Sequence, residues 1–216
     1  MKLRLLAFIC VLSFSTLACF GLSGSGNDLE GQPGEVLFKD DFSDPESGWD
    51  RVIVADGVTD YSDGTYRIFV NKSNTDVWAN PNLNFTDVRI DVETSKVGGD
   101  DDNDYGIICR YLDSENFYFF VISSDGYYGV GKVSAGIQQL IGMESMHPSE
   151  SINQGNASNT LRADCVGSTL SFYVNNESLG VYEDTEFSSG DVGLIAGTFD
   201  SSGVDIHFDN FMVSRP

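Results

Sequence analysis

The sequence has few basic residues, and this scarcity limits the partners that the protein can bind. Only 12 lysines and arginines stand against 33 aspartates and glutamates in 216 residues, which gives a formal net charge of −21 at pH 7. Nucleic acids and anionic lipid surfaces are recognised through basic patches. The composition therefore argues against both as partners, whereas the many carboxylates are compatible with divalent cations.

Histidine is scarcer still, and the two histidines do not form a recognisable site. His147 lies in the segment SMHPS, a predicted loop, and His207 stands alone in a predicted strand. They make neither a catalytic triad nor a two-histidine metal site. The serines lack the G-x-S-x-G setting of a hydrolase nucleophile.

Amphipathic helices are also missing, because no segment shows apolar residues at the i, i+3, i+4, i+7 spacing. The chain instead repeats short segments rich in β-branched and aromatic residues, separated by turns of Asp, Asn, Gly and Ser. About a dozen such segments at even spacing predict an all-β fold. We therefore expect one antiparallel two-sheet β-sandwich, or jelly roll, over residues 36–216.

The amino-terminal segment, residues 1–18, has the layout of a secretory signal peptide. Lys2 and Arg4 precede an apolar run from Leu5 to Leu12, and small residues follow. A membrane-spanning helix needs about 20 apolar residues, so this run is too short to span a bilayer. The segment predicts export of the protein.

The end of this signal, STLAC, resembles the lipobox of bacterial lipoproteins, in which the cysteine becomes the acylated amino terminus. Thr16 stands where the lipobox prefers leucine. The resemblance implies a lipid on Cys19 and an envelope protein that contacts the membrane only through that lipid. Without the lipid, the protein would be secreted. Residues 19–35, rich in Gly and Ser, would form a flexible tether.

Cysteine parity supports this interpretation. Cys10 leaves with the signal and Cys19 carries the lipid, so Cys109 and Cys165 remain as a pair. Both lie inside apolar predicted strands of an exported chain, which favours a disulfide between neighbouring strands. A catalytic thiol is disfavoured, since neither cysteine has a histidine nearby in the sequence.

A run of aspartates, DDDND at residues 100–104, precedes the strand that carries Cys109. A calcium loop of the EF-hand type requires Gly at its sixth position and Glu at its twelfth, and these positions hold Tyr105 and Tyr111. The main interpretation is a solvated hairpin rim. A calcium site of another kind is the alternative.

Strand alternation assigns faces in the segment YGIICRYL, residues 105–112. It places Cys109 and Tyr111 on one face and Arg110 on the other. In the next strand, Tyr118 and Phe120 lie on the face opposite to their neighbours, so part of this aromatic ladder points away from the core. Sugars and peptides pack against such rings. We therefore predict ligand contacts at Arg110, Tyr118 and Tyr127, with a plain aromatic sheet under loops as the alternative.

Three segments together carry a resemblance to a known family. They are FKDDFSDPESGW at 38–49, YGIICRYLDSENFYFFVISSDGYYGVGK at 105–132 and VDIHFDNFMVSRP at 204–216. They resemble the concanavalin A-like lectin/glucanase jelly rolls, in particular the laminin-G-like and 3-keto-disaccharide-hydrolase-type domains of bacterial secreted proteins and lipoproteins. The resemblance implies that FKDDF pairs with FDNF, and that Asp41 and Asp209 hold a structural calcium near this closure.

The resemblance leaves three functions open. Family sixteen glycoside hydrolases carry their acids in an E-x-D-x-E strand, and the nearest segment identified is YEDTEF at 182–187, whose spacing separates Glu183 from Asp184 and Glu186. We therefore expect a non-catalytic module that binds a glycan or surface polymer. The alternatives are a hydrolase of the 3-keto-disaccharide type and a structural or protein-interaction domain.

Overall fold

The computed structural model describes residues 32–216, and all regular structure in this range is β-strand. None of these residues forms a helix that could cross a membrane. The predicted signal peptide and Cys19 lie outside the described residues, as does most of the predicted tether.

Sixteen strands form two antiparallel sheets. Sheet A has the order β14-β13-β12-β6-β16-β4-β3-β2, with β1 also paired to β16. Its strands are β1 Val36–Asp40, β2 Val52–Ile53, β3 Gly57–Ser62, β4 Thr65–Val70, β6 Val88–Gly98, β12 Ser158–Val166, β13 Thr169–Val174, β14 Glu177–Glu183 and β16 Val204–Ser214.

Sheet B has the order β10-β9-β8-β7-β15-β5, with β11 paired to β9. Its strands are β5 Thr75–Ala79, β7 Asn103–Asp113, β8 Asn116–Ile122, β9 Tyr127–Ser134, β10 Ile137–Leu140, β11 His147–Pro148 and β15 Asp191–Thr198. The predicted two-sheet antiparallel sandwich is confirmed. The predicted closure is confirmed as well, because Asp40 of β1 is in register with Phe211 of β16.

The core lies between the sheets and is filled by alternate residues of each strand. Sheet A contributes Ile68, Phe172 and Phe208, and sheet B contributes Ile107 and Phe120, all of which are fully buried. This is the usual construction of a sandwich, in which the inner faces of two sheets interdigitate. Outward-facing residues are therefore the ones available to form a site.

The predicted disulfide between Cys109 and Cys165 is confirmed, but it does not join neighbouring strands. Cys109 lies on β7 of sheet B and Cys165 on β12 of sheet A, with their Cα atoms 6.9 Å apart. The bond therefore crosses the core and ties one sheet to the other. Because disulfides persist in oxidising compartments, it indicates an extracellular or periplasmic location.

A β-bulge changes the alternation that the sequence predicts for β7. The register with β8 shifts after Cys109, and Arg110 has a positive φ of 53°. Tyr111 therefore moves away from the core face of Cys109 and joins the outer face of sheet B, where its ring centroid lies 5.5 Å from that of Phe117. In β8 the predicted separation into two faces is observed, but Tyr118 points inward with Phe120, and Phe117 and Phe119 are the rings that point outward.

The outer face of sheet B carries its own apolar cluster. Its buried members are Ile108, Phe117, Phe119, Val121 and Ile195. Glycine makes this packing possible on β9, because a Cβ on Gly131 would lie only 2.3 Å from Cζ of Phe119. The edge of the phenyl ring therefore occupies the space that a side chain at position 131 would fill.

Asp191, at the start of β15, gives the fold a pH dependence. Burial raises the pKa of its carboxyl to about 6, although backbone N–H groups of neighbouring residues lower it. Because the folded pKa lies above the unfolded value, the contribution of Asp191 to stability is fully present below about pH 4 and is lost as the pH rises through about 6.

We expect Asp191→Asn to abolish this pH-dependent loss of stability, which is on the order of 2 kcal/mol between pH 4 and 7.5 in the wild type. The amide oxygen can still accept the Val192 N–H bond that Asp191 accepts at 2.8 Å. Urea unfolding of both proteins at several pH values measures the difference. Asp44→Asn is the control, since Asp44 is exposed and also accepts a backbone N–H bond. The prediction would be contradicted if the difference in unfolding free energy between the wild type and Asp191→Asn did not change with pH.

Candidate functional site

Arg110, a predicted ligand contact, is a buried structural residue. Only 2% of its surface is exposed. Its Nη1 donates to the carbonyl oxygens of Gly167 and Phe187, both at 2.8 Å, and its Nη2 lies 3.2 Å from Oδ1 of Asp87. The bulge directs the guanidinium into the loops at the end of the sandwich, where no surface ligand can reach it.

Tyr118 is likewise buried, with no exposed surface. Its hydroxyl donates to Oδ1 of Asp184 at 2.6 Å and accepts the Phe187 N–H at 3.0 Å. Burial, together with the hydrogen bond to Asp184, raises its pKa to about 12. The segment YEDTEF is thus part of a structural network, because Lys132 also contacts Asp184 and lies 2.8 Å from Glu186.

Tyr127 is 41% exposed at the start of β9 and stays a prediction. The predicted calcium ligands do not share a pocket. Asp41 is exposed, accepts hydrogen bonds from the backbone N–H and hydroxyl of Ser43, and lines one depression, whereas Asp209 lines another. Within residues 32–216, no three acidic, His or Cys side chains form a group that could hold a metal ion. Calcium at Asp41 and Asp209 also stays a prediction.

The outer face of sheet A holds a polar groove of about 320 Å³. Cross-strand pairing builds it, because Glu93 of β6 lies in register with Asp209 of β16 on one side and Thr160 of β12 on the other. We call it the sheet A groove. Its principal lining residues are Thr65, Glu93, Ser95, Ser158, Thr160, Asn175, His207 and Asp209.

Two carboxylates of β6 face this side without protein partners. Asp91 and Glu93 are two residues apart and therefore point the same way. Neither accepts a hydrogen bond or forms an ion pair within the described part of the chain. Burial raises the pKa of Asp91, and the nearby Arg162 and Arg89 partly offset this effect. These carboxylate oxygens are free to accept hydrogen bonds from a ligand.

An aromatic and a cationic side chain adjoin these acids. The guanidinium of Arg162 lies over the ring of Tyr173 at 4.4 Å from the centroid, and its Nε donates to Oδ1 of Asp164 at 2.9 Å. Asp91, Thr160, Arg162 and Tyr173 line a second depression of about 170 Å³. Thr160 lines both depressions, so they form one continuous polar strip across β13, β12 and β6.

His207 lies at the opposite side of the groove, on β16. Its Nδ1 is 2.8 Å from Oγ1 of Thr65, and that hydroxyl donates its only proton to the carbonyl oxygen of Ser62. The Nδ1 atom must therefore carry a hydrogen, which leaves Nε2 as an acceptor. Burial lowers the pKa of His207, and the carboxylate of Asp205, 3.7 Å from Nε2, partly offsets this effect.

Asp91, Glu93, Arg162 and Tyr173 were not predicted as site residues from the sequence. A signal for the two acids was present, since alternation in RIDVE at residues 89–93 places Arg89, Asp91 and Glu93 on one face. The pattern is R-x-D-x-E, which has a basic residue at the first position of the E-x-D-x-E motif. The structure shows Arg89 beside Asp164, with Nε 3.3 Å from Oδ1.

Solved structures with the same architecture include carbohydrate-binding and carbohydrate-cleaving proteins. A carbohydrate-binding module, CBM66 from Bacillus subtilis, superposes with a TM-score of 0.63 and 16% identity, covering 77% of this chain and 95% of the module. A Bacillus subtilis protein of unknown function with a galectin-like fold gives 0.62 and 8%, covering 85% and 97%. The Bacillus licheniformis β-glucanase gives 0.60 and 10%, covering 86% and 100%.

No protein-family model and no curated protein sequence matches the chain. At identities this low the structural matches establish the architecture and leave the activity open. The strand order, the closure of β1 on β16 and these superpositions agree. The chain has the fold of the concanavalin A-like lectin and glucanase sandwiches.

Proposed function

We propose that the sheet A groove binds carbohydrate and that the protein is a non-catalytic, glycan- or polymer-binding module of the bacterial cell envelope. One observation carries the proposal: the free carboxylates of Asp91 and Glu93 stand beside the Arg162–Tyr173 stack on one continuous strip. Sugar hydroxyls donate to carboxylates in charge-assisted hydrogen bonds, and sugar C–H faces pack on aromatic rings.

The compartment and the solved relatives support this proposal. The disulfide requires an oxidising compartment, and the signal-like segment with Cys19 would tether the module to a membrane through lipid. The Bacillus subtilis module of the same fold is a carbohydrate-binding module by name. Glycans are also the partners that a strongly acidic protein can bind without a basic patch.

We expect Tyr173→Ala to weaken glycan binding about tenfold, because it removes the aromatic surface and the support for Arg162. A glycan array on the purified full chain, with calcium and then with chelator, identifies the ligand, and calorimetry with that ligand measures the affinities. Phe69→Ala is a matched control. Phe69 lies under Arg67 at 4.9 Å on the same sheet and does not line the groove, so this variant should bind like the wild type.

Equal binding by wild type and Tyr173→Ala would place the ligand elsewhere. Absence of binding to every glycan would favour a structural or protein-interaction domain.

Hydrolysis is the second candidate, and the carboxylates of Asp91, Glu93 and Asp209 on neighbouring strands favour it. Glycoside hydrolysis needs two carboxyl groups in different environments, and burial raises the pKa of Asp91. Arg89 in place of a first acid argues against the glucanase form. The same ligand and a 3-keto-disaccharide are therefore incubated with the protein. If the wild type releases sugar and Glu93→Gln does not, the protein is an enzyme.

A further inference from the structure

A second group of acids lies on the outer face of sheet B, away from the sheet A groove. Gly197 of β15 is in register with Asp76 of β5 on one side and with Asp104 of β7 on the other. Residues in register on adjacent strands point to the same face. The two carboxylates therefore approach each other above a glycine.

The glycine leaves the space between the two acids open. A Cβ on Gly197 would lie 2.1 Å from Oδ1 of Asp76 and 2.2 Å from Oδ1 of Asp104. The two oxygens can be no further apart than the sum of these distances, so one small ion can contact both. Any other residue at position 197 would displace at least one carboxylate.

Asp104 is only 6% exposed, and its Oδ1 has no hydrogen-bond partner among residues 32–216. Neither Asp76 nor Asp104 belongs to any ion pair in this range. Burial, followed by repulsion from Asp76, raises the pKa of Asp104. A buried carboxylate without a partner is costly, so Asp104 facing the carboxylate of Asp76 calls for a compensating positive charge.

We propose that Asp76 and Asp104 bind a divalent cation, with calcium as the best fit, in the space above Gly197. Calcium prefers carboxylate oxygens and takes six to eight oxygen ligands. Asp76 is only partly buried, so water can supply the ligands that the two acids do not.

The charge around the site favours a cation. Asp100 and Asp102 immediately precede β7, and Asp125 and Asp200 follow β8 and β15, so all four lie at the same end of sheet B as the two acids. These acids hold a negative potential at this edge of sheet B. Extracellular calcium modules bind with dissociation constants of about 10⁻⁴–10⁻³ M, which suits an exported protein.

The test is thermal unfolding of the full chain at pH 7.5 in 10 mM calcium chloride and in chelator. We expect calcium to raise the Tm of the wild type by roughly 3–6 °C. Asp104→Asn and Asp76→Asn each keep the side-chain shape but remove one charge, and each should lose most of this shift. Asp113→Asn is the control, because Asp113 is an exposed acid at the opposite end of β7, far from the site, and this variant should keep the shift.

Terbium provides a second readout that does not depend on stability. Trp78 lies two residues after Asp76 on the same face of β5, so excitation of tryptophan should sensitise terbium bound at the site. Calcium should displace the terbium signal, and Asp104→Asn should abolish it.

Two results would overturn the proposal. One is a calcium shift that persists in both Asp104→Asn and Asp76→Asn. The other is a wild-type Tm that does not change when calcium is added. If the stability difference between the wild type and Asp104→Asn then changes between pH 4 and 8, the two acids share a proton instead of a cation. Neither result bears on carbohydrate binding in the sheet A groove, so the two proposals fail independently.

Discussion

Replacing Arg110 with methionine is expected to lower the free energy of unfolding by about 2–4 kcal/mol. The methionine fills a similar volume but leaves the carbonyl oxygens of Gly167 and Phe187 and the carboxylate of Asp87 without their shared donor. A buried acceptor that loses its partner costs about 1–3 kcal/mol. Urea unfolding of the purified variant measures the change.

Two further substitutions identify the cause. Arg110→Lys keeps the charge, but a single ammonium cannot reach acceptors on three separate segments, so we expect an intermediate loss. Arg162→Met removes a guanidinium from the outer face of sheet A and should cost no more than about 1 kcal/mol. If Arg110→Met and Arg162→Met destabilise equally, the buried hydrogen-bond network does not hold the loops together.

The second large effect is expected from the double variant Cys109→Ala/Cys165→Ala. The disulfide joins residues separated by 56 positions, and the chain-entropy model assigns about 4 kcal/mol to a loop of this length. The Tm should fall by roughly 10 °C. Alanine is preferred to serine, because both positions are fully buried and a hydroxyl there would lack a partner.

Reduction supplies the control for this prediction. Dithiothreitol should lower the Tm of the wild type toward that of the double variant and leave the variant unchanged. A wild type whose unfolding is insensitive to reduction, or a variant as stable as the oxidised protein, would show that the sheets are held together by core packing alone.

The architecture could be predicted from local patterns. Alternation and turn residues depend only on neighbours in the chain, and cysteine parity needs no geometry. The faces of β7 could not be predicted beyond Cys109, because one residue in the left-handed region inverts the alternation and no glycine marks the place. Arg110 is buried for a related reason. Its acceptors come from distant segments that only the folded chain brings together.

In the aspartate run, too, the features that depend on neighbouring residues could be predicted, and those that depend on distant segments could not. Asp100 and Asp102 are exposed in the loop before β7, as a solvated rim predicts, whereas Asp104 is buried. Nothing near Asp104 in the sequence indicates that Asp76 and Gly197 will flank it, because three strands must first pair. In contrast, Asp91 and Glu93 could have been assigned to one outer face from the sequence, although the partners that complete the groove lie on β12 and β16.

The closure of β1 on β16 determines how the sandwich responds to mechanical load. The N–H of Gly34 donates to the carbonyl of Arg215 at 3.0 Å, and the N–H of Arg215 donates to the carbonyl of Glu35 at 2.9 Å. Opposing forces on residues 34 and 215 would therefore break these bonds one after another, as in a zipper, instead of shearing them together. β1 has no other strand partner, whereas β16 is also paired with β4 and β6, so β1 would peel away first.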